Sequence, residues 1–268
     1  MFLADCHTHS CCSPDSSTPM PEMAKKAVEY GLTTLTLTDH CDLLDLEGGR
    51  TLEYDWAPVL EQREKMLSAY GTKLDLPMGI ELGMAFLFPE AADRILEQPG
   101  IDFVIGAAHN LSEAAGGRDF YVLDYDTQAD CYEALDDYFQ SMVTLAAGPH
   151  YDVAAHIIYP LRYMRNRPFP LPSLTRYRDQ IHEILRLAAE SGRGIEINTW
   201  KGQTLAEWLP VLKMYKELGG EIVTVGSDAH APDPIAKGVP EASRMMKDCG
   251  FRYVAVYHER KPEYIKLK

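Results

Sequence analysis

His7 and His9 stand two residues apart at the end of the apolar run Phe2-Leu3-Ala4. On a β-strand, residues i and i+2 point to the same side, so both imidazoles would leave the strand's end together. Paired neutral imidazoles are common metal ligands, although hydrogen-bonded core histidines also fall at this spacing. The pattern then recurs: Thr38-Asp39-His40, Gly79-Ile80-Glu81, Ala107-Ala108-His109, Ala154-Ala155-His156 and Gly226-Ser227-Asp228-Ala229-His230. Each closes its own apolar, strand-like run. Asp228 and His230 repeat the spacing of His7 and His9. Glu81 follows Leu-Pro-Met-Gly-Ile, which would bury it, and a buried carboxylate needs a cation or a dense set of donors. Asp15, in Pro14-Asp15-Ser16, fits either a ligand or a surface turn. His150, His182 and His258 fall outside the pattern and read as structural or exposed.

Metal-seeking side chains at the ends of so many strands converge only if the strands close into a barrel. The elements needed for that are present. Strands are expected at Met1–His9, Thr33–Thr38, Asp75–Ile80, Ile101–Ala107, Asp152–Ala155, Gly194–Asn198 and Glu221–Val225. Helices are expected between them at Pro21–Tyr30, Ala57–Tyr70, Pro89–Glu97, Thr127–Ala147, Leu174–Ser191 and Leu205–Leu218, several opening on proline and closing on glycine. A last helix near Pro240–Cys249 and a short strand, Tyr253–Tyr257, end the chain. Strand–helix units in this order predict a parallel α/β barrel with its site at the C-terminal ends of the strands. A doubly wound open sheet is the alternative, but it gathers ligands from only a few strands.

At 268 residues, one large domain spanning 1–268 is the expectation, with 46% hydrophobic and 25% charged residues as in ordinary soluble proteins. The net charge of −14 argues against a nucleic-acid surface, which is basic. Apolar runs are too short to span a bilayer, and the N-terminus has no basic leader region. Six cysteines without disulfide-framework or C-x-x-C spacing read as reduced thiols in the cytoplasm. Cys6, Cys11 and Cys12 lie near the first strand as thiolate ligands or, better, as small apolar packing. Oligomeric state is not legible.

With these residues in place, the chain resembles the polymerase and histidinol phosphatase (PHP) family, over nearly its whole length. The resemblance rests on His-Thr-His near the N-terminus, Thr-Asp-His, Gly-Ile-Glu, two Ala-His strand ends and Ser-Asp-Ala-His late in the chain. It implies a distorted (βα)7 barrel holding three divalent transition metals drawn from Zn, Mn and Fe. One would take His7, His9, Glu81 and Asp228; the second, the bridging Glu81 with His109 and His156; the third, Asp15, His40 and His230. Within the family, histidine can stand at position 15; aspartate is a harder, oxygen ligand, which favours Mn or Fe there over Zn.

Clustered cations bind phosphate oxygens, acidify a water and stabilise a leaving alkoxide, so direct attack by metal-bound hydroxide without a phosphoenzyme is expected. No Ser-His-Asp set or phosphate-cradling glycine loop competes. Glu81, Asp228, His230 and Asp42 are the expected catalytic groups; His40, Arg162 and Arg165 are the expected substrate contacts. Guanidinium matches phosphate oxygens with paired donors, while either arginine also fits a solvated basic loop. Asp42 would donate a proton to the leaving group, bind a substrate ammonium, or cap its loop. Glu196 and Asn198, with Trp200 and Lys201 beyond, shape the pocket or satisfy the barrel interior. The length is similar to that of the family's stand-alone histidinol-phosphate phosphatases, which implies hydrolysis of L-histidinol phosphate in histidine biosynthesis. Family members acting on nucleotides, as cyclic-phosphate diesterases or 5′ exonucleases, carry the same metals. A non-catalytic metal-binding module is the remaining alternative.

Overall fold

The computed structural model describes residues 3–267, so the expected strand residues Met1 and Phe2 lie outside the described residues. Seven parallel strands follow one another around a single sheet in chain order. They are β1 (Ala4–Thr8), β2 (Thr34–Asp42), β3 (Met78–Gly83), β4 (Phe103–Ala107), β5 (Val153–Ala154), β6 (Gly194–Asn198) and β7 (Val223–Gly226). Between and after them run α1 (Met20–Glu29), α2 (Ala57–Tyr70), α3 (Pro89–Leu96), α4 (Gln128–Ala147), α5 (Leu161–Met164), α6 (Arg178–Glu190), α7 (Leu205–Glu217) and α8 (Val239–Asp248). The Asp228 N–H donates to the His7 carbonyl and the His9 N–H to the Ala229 carbonyl, each at 2.9 Å, which ties the end of β7 to β1. The result is the distorted (βα)7 barrel.

Alternation along each strand divides the side chains. Leu35 and Leu37 of β2 and Met78, Ile80 and Leu82 of β3 point outward onto Met23 and Ala24 of α1 and Val59 and Met66 of α2. Ile195, Ile197, Val223 and Val225 pack likewise on Leu185 of α6 and Trp208 and Leu212 of α7. The opposite faces line the interior, where the lower layer is apolar: Ala4, Cys6, Phe103, Ile105 and Val153. Cys6 is thus a packing residue, and burial pushes its thiol far up from its ordinary pKa. Higher in the barrel the interior positions turn polar and form the site.

Two local features aim that layer. Asp5 of β1 pairs with Leu35 but Thr8 pairs with Leu37, so β1 carries one extra residue. Such a bulge shifts the phase of the strand. It brings His7 and His9 over the same interior as Ala4 and Cys6. Gly226 supplies the space: a Cβ there would collide with the Cβ of His7 and with Oε1 of Glu196.

Several elements differ from expectation for visible reasons. β2 runs on through His40 to Asp42, so both lie on one face of a strand instead of in a loop. β3 begins after Pro77, which lacks an N–H to donate, and runs on through Glu81 to Gly83. The expected helix Leu174–Ser191 opens as a 3-10 turn over Leu174–Tyr177 before α6. The chain ends in an antiparallel hairpin, β8 (Tyr253–His258) and β9 (Lys261–Lys266), of which only the first strand is visible in the hydrophobic pattern. Its turn residues Glu259 and Arg260 have φ of 48° and 62°, the left-handed pair that two-residue hairpins require, without the usual glycine or asparagine. Ala255, Val256 and Tyr257 of this hairpin close the floor of the barrel against Phe103 and Cys6. Among the described residues, no helix is long and apolar enough to cross a membrane.

His258 fastens the hairpin to the barrel, with Nε2 3.0 Å from Asp75 Oδ1 and Nδ1 3.3 Å from Glu263 Oε1. Partial burial opposes its protonation, but Asp75 and Glu263 outweigh this and raise its pKa. A raised folded pKa adds stability that is complete below the unfolded value and is lost as pH rises through the folded one. The thermal-stability difference between wild type and His258→Ala should therefore be larger at about pH 6 than at about pH 9. A pH-independent difference contradicts this role.

Candidate metal centre

Glu81, 1% exposed, sits at the middle of the polar layer. Its Oε2 lies 3.2 Å from His7 Nε2, 3.6 Å from His9 Nε2 and 3.2 Å from His40 Nδ1, and its Oε1 lies 3.1 Å from His109 Nε2 and 2.7 Å from His156 Nε2. Burial would raise the pKa of this carboxyl, but the charges of His7, His109 and His40 hold it well below the carboxylate range. Asp228 presents Oδ1 to His9 Nε2 at 3.3 Å and to His230 Nδ1 at 3.6 Å. Asp15, from the loop after β1, reaches His230 Nε2 at 2.8 Å and His40 Nε2 at 3.6 Å. The expected ligands His7, His9, Asp15, His40, Glu81, His109, His156, Asp228 and His230 thus meet at one end of the barrel.

The backbone at Asp228 is left-handed, with φ of 58°, an uncommon conformation for a residue with a Cβ. It is held there by its neighbour. Ser227 donates its N–H and its hydroxyl to the buried carboxylate of Asp5, at 2.8 and 2.6 Å. Burial raises the Asp5 pKa to about 6 against these hydrogen bonds.

Two of the outer nitrogens are held by carboxylates. His7 Nδ1 lies 2.6 Å from Glu196 Oε1, and His109 Nδ1 lies 2.7 Å from Asp42 Oδ1. Each carboxylate accepts a hydrogen bond from Nδ1–H, which leaves the Nε2 lone pair facing inward. His7 Nε2 then stands 3.1 Å from His9 Nε2, and His109 Nε2 stands 3.3 Å from His156 Nε2. Facing lone pairs beside carboxylate oxygens are what a divalent cation satisfies, so the donor set fits the metal that it implies. Ligand atoms fall within 4.8 Å of one another in the groups His7, His9, Glu81; Glu81, His109, His156; and His9, His40, His230. Protons compete for these nitrogens: Asp42 and Glu81 overcome burial and push His109 up to about 10, whereas burial and the charges of His40 and His230 press His9 down to about 3.

Arg162 lies beside this cluster, 5% exposed at its side chain, with Nη1 bonded to Asp228 Oδ2 at 2.9 Å. Its guanidinium lies 3.9 Å from the Trp200 ring centre and 4.6 Å from that of Tyr159. Its Nε is buried and unpartnered. Arg165 instead bonds Glu207 of α7 at 2.7 Å, away from the cluster. Asp42 is occupied by His109 and His40, which outweigh burial and keep it ionised, an environment unlike that of a proton donor.

The pattern of apolar runs gave Glu196 no definite partner, because the strand alternation that aims it at His7 depends on barrel closure. Asp119 and Tyr159 stand off the strands, so no apolar run marks either of them. Asp119 lies in a loop, its pKa raised by burial, and accepts the Tyr121 N–H at 2.7 Å. The Tyr159 ring lies 4.6 Å from that of His156 and continues through Tyr163 to Tyr121, which is 64% exposed. His182 has no resolved role, while His150 contacts Asp93 on the outside of the barrel.

Fold and donor set together define a metal-binding α/β barrel. The chain belongs to the PHP family: the PHP domain model matches residues 5–200. It is similar to a protein of Clostridium acetobutylicum named probable histidinol-phosphatase, 29% identical over 94% of this chain and 96% of that relative. It is also similar to the histidinol-phosphatase of Lactococcus lactis, 24% identical over 96% of this chain and 95% of that one. The crystal structure of the Lactococcus lactis histidinol phosphate phosphatase complexed with zinc, L-histidinol and phosphate has the same fold, with a TM-score of 0.85 at 23% identity, over 97% and 98% of the two chains.

Glu196 uses both oxygens, one for His7 Nδ1 and one for the His156 N–H at 2.9 Å. A glutamine has one acceptor oxygen and can serve only one of them. Glu196→Gln should therefore lower zinc affinity by about 10–100-fold in chelator competition. Unchanged affinity in the folded variant contradicts the assignment.

Proposed function

We propose that the chain, working as one barrel domain, hydrolyses a phosphate monoester, L-histidinol phosphate, to L-histidinol and phosphate. The observation that carries the reading is the ring of imidazoles around buried Glu81, with Arg162 at its edge. The full-length similarity to histidinol-phosphatases supports the substrate. In this reading His7, His9, Glu81 and Asp228 hold one divalent cation, Glu81, His109 and His156 a second, and Asp15, His40 and His230 a third, with Zn, Mn or Fe as the metals. Divalent cations held there would supply positive charge for the phosphate and lower the pKa of water.

The chain's own residues do the rest. Arg162, over the rings of Trp200 and Tyr159 and tied to Asp228, offers its remaining donors to phosphate oxygens. Asp42 and Glu196 keep His109 and His7 in the ligating tautomer. Tyr159, Tyr163 and Tyr121 form an aromatic wall suited to a planar imidazole. Asp119 has no lysine or arginine within 4.0 Å among the described residues and lies on that wall, where a substrate ammonium would meet it. Buried rings and carboxylates around the cluster exclude bulk water, which strengthens these charges.

Metal-replete protein should contain about three transition-metal equivalents per chain and prefer histidinol phosphate over AMP and p-nitrophenyl phosphate by about 100-fold in kcat/KM. Preference for AMP or a cyclic nucleotide overturns the substrate, and no hydrolysis of any of them overturns the reaction. Arg162→Ala should lose about 2–4 kcal/mol in kcat/KM on every phosphomonoester while retaining its metals. Asp119→Asn should harm histidinol phosphate far more than p-nitrophenyl phosphate; equal effects on both remove Asp119 from amine recognition.

A further inference from the structure

Ser13, 4% exposed, lies on the loop between β1 and α1. Its hydroxyl meets three groups. It donates to Asp39 Oδ1 at 2.7 Å, accepts the His40 N–H at 2.9 Å, and lies 3.1 Å from His9 Nδ1. A serine hydroxyl has one proton and two acceptor lone pairs. Asp39 is acceptor-only when ionised and already takes the N–H and hydroxyl of Ser10, at 2.5 and 2.7 Å. Ser13 must give Asp39 its proton, because the opposite arrangement would set two lone pairs against each other. The His40 N–H uses one lone pair of Ser13. Only the second lone pair remains for His9, so His9 Nδ1 carries the proton and donates it. Nε2 of His9 is then left with its lone pair facing carboxylate oxygens of Glu81 and Asp228, each within 3.6 Å, an arrangement that a cation among them would satisfy.

The geometry points to Ser13 as a positioning residue whose single hydroxyl fixes the ligating tautomer of His9 and the backbone of His40, and so sets ligands in two of the cation sites. This rests on the reading of His9 and His40 as ligands under the proposed function. His7 and His109 have a carboxylate of their own for the same purpose, in Glu196 and Asp42. His9 has the carboxylate one step removed, and the intervening serine lets the same group hold β2. Loss of the hydroxyl would release both ligands together, just as loss of the Glu196 carboxylate would free both His7 Nδ1 and the His156 N–H.

The test compares Ser13→Ala and Ser13→Thr with wild type by zinc titration in chelator competition and by ¹⁵N NMR of histidine-labelled protein. Ser13→Ala should lose about 10–100-fold in zinc affinity and shift the His9 tautomer away from Nδ1–H, with Ser13→Thr retaining both. If the alanine variant does not fold, Ser13→Cys replaces it, since a thiol of similar size is a weak acceptor; it too should lose affinity. Wild-type affinity with the Nδ1–H tautomer in the alanine or cysteine variant overturns the proposal. So does a threonine variant as weak as alanine, which would mean packing. Wild-type protein that binds no zinc would instead overturn the ligand assignment itself.

Discussion

A carboxylate with five imidazole nitrogens within 3.6 Å and almost no access to water is expensive to build, and Glu81 is such a group. Left uncompensated, each member of the cluster would shift its protonation to shed charge. The surrounding structure instead fixes where protons stand: Glu196 and Asp42 hold the outer nitrogens of His7 and His109, and the carbonyl of Asp228 lies 3.0 Å from Nδ1 of His230. Much of the barrel's interior is arranged around this constraint. Gly79 of β3 leaves room for the buried Thr38 of β2, which a Cβ there would strike, and Gly226 leaves room for His7 to meet Glu196.

The seam of the barrel solves a related problem twice. Asp5 of β1 takes the N–H and hydroxyl of Ser227 beyond β7, and Asp39 of β2 takes the N–H and hydroxyl of Ser10 beyond β1. In each case a buried carboxylate on one strand anchors the loop leaving its neighbour. Asp5 also accepts the Ala236 N–H at 2.8 Å, fastening the loop that leads to α8. These loops carry Asp15, Asp228 and His230, which lie beyond the ends of β1 and β7 and have at most the single bridge of Ala229 to Thr8 to support them. The anchors extend that support, and with it they hold Asp228 in its left-handed backbone.

Much of this was legible in the chain because ligands in a parallel barrel fall at strand ends, where an apolar run stops at a histidine or carboxylate. The count of strand–helix units and the PHP resemblance agreed, and the barrel and the family both hold. Partners across the barrel were less visible. Glu196 and His7 are 189 residues apart, and nothing in local periodicity links them. The bulge in β1 leaves no signature in Asp-Cys-His-Thr-His, although it sets the phase of both histidines. β9 was missed because Lys261, Glu263 and Lys266 face solvent and the turn before it lacks glycine. Of the two arginines after His156, Arg162 is favoured on sequence only because it stands closer to that histidine; the fold adds the reason, setting Arg162 against Asp228 and Arg165 against Glu207.

The central claim is that the end of the barrel around Glu81 is a polynuclear metal site. Anomalous diffraction at the zinc edge from zinc-loaded crystals tests it most directly. The account predicts three peaks: one among His7, His9, Glu81 and Asp228, one among Glu81, His109 and His156, and one among Asp15, His40 and His230. A single peak, or peaks away from these residues with Glu81 touching none of them, would contradict it.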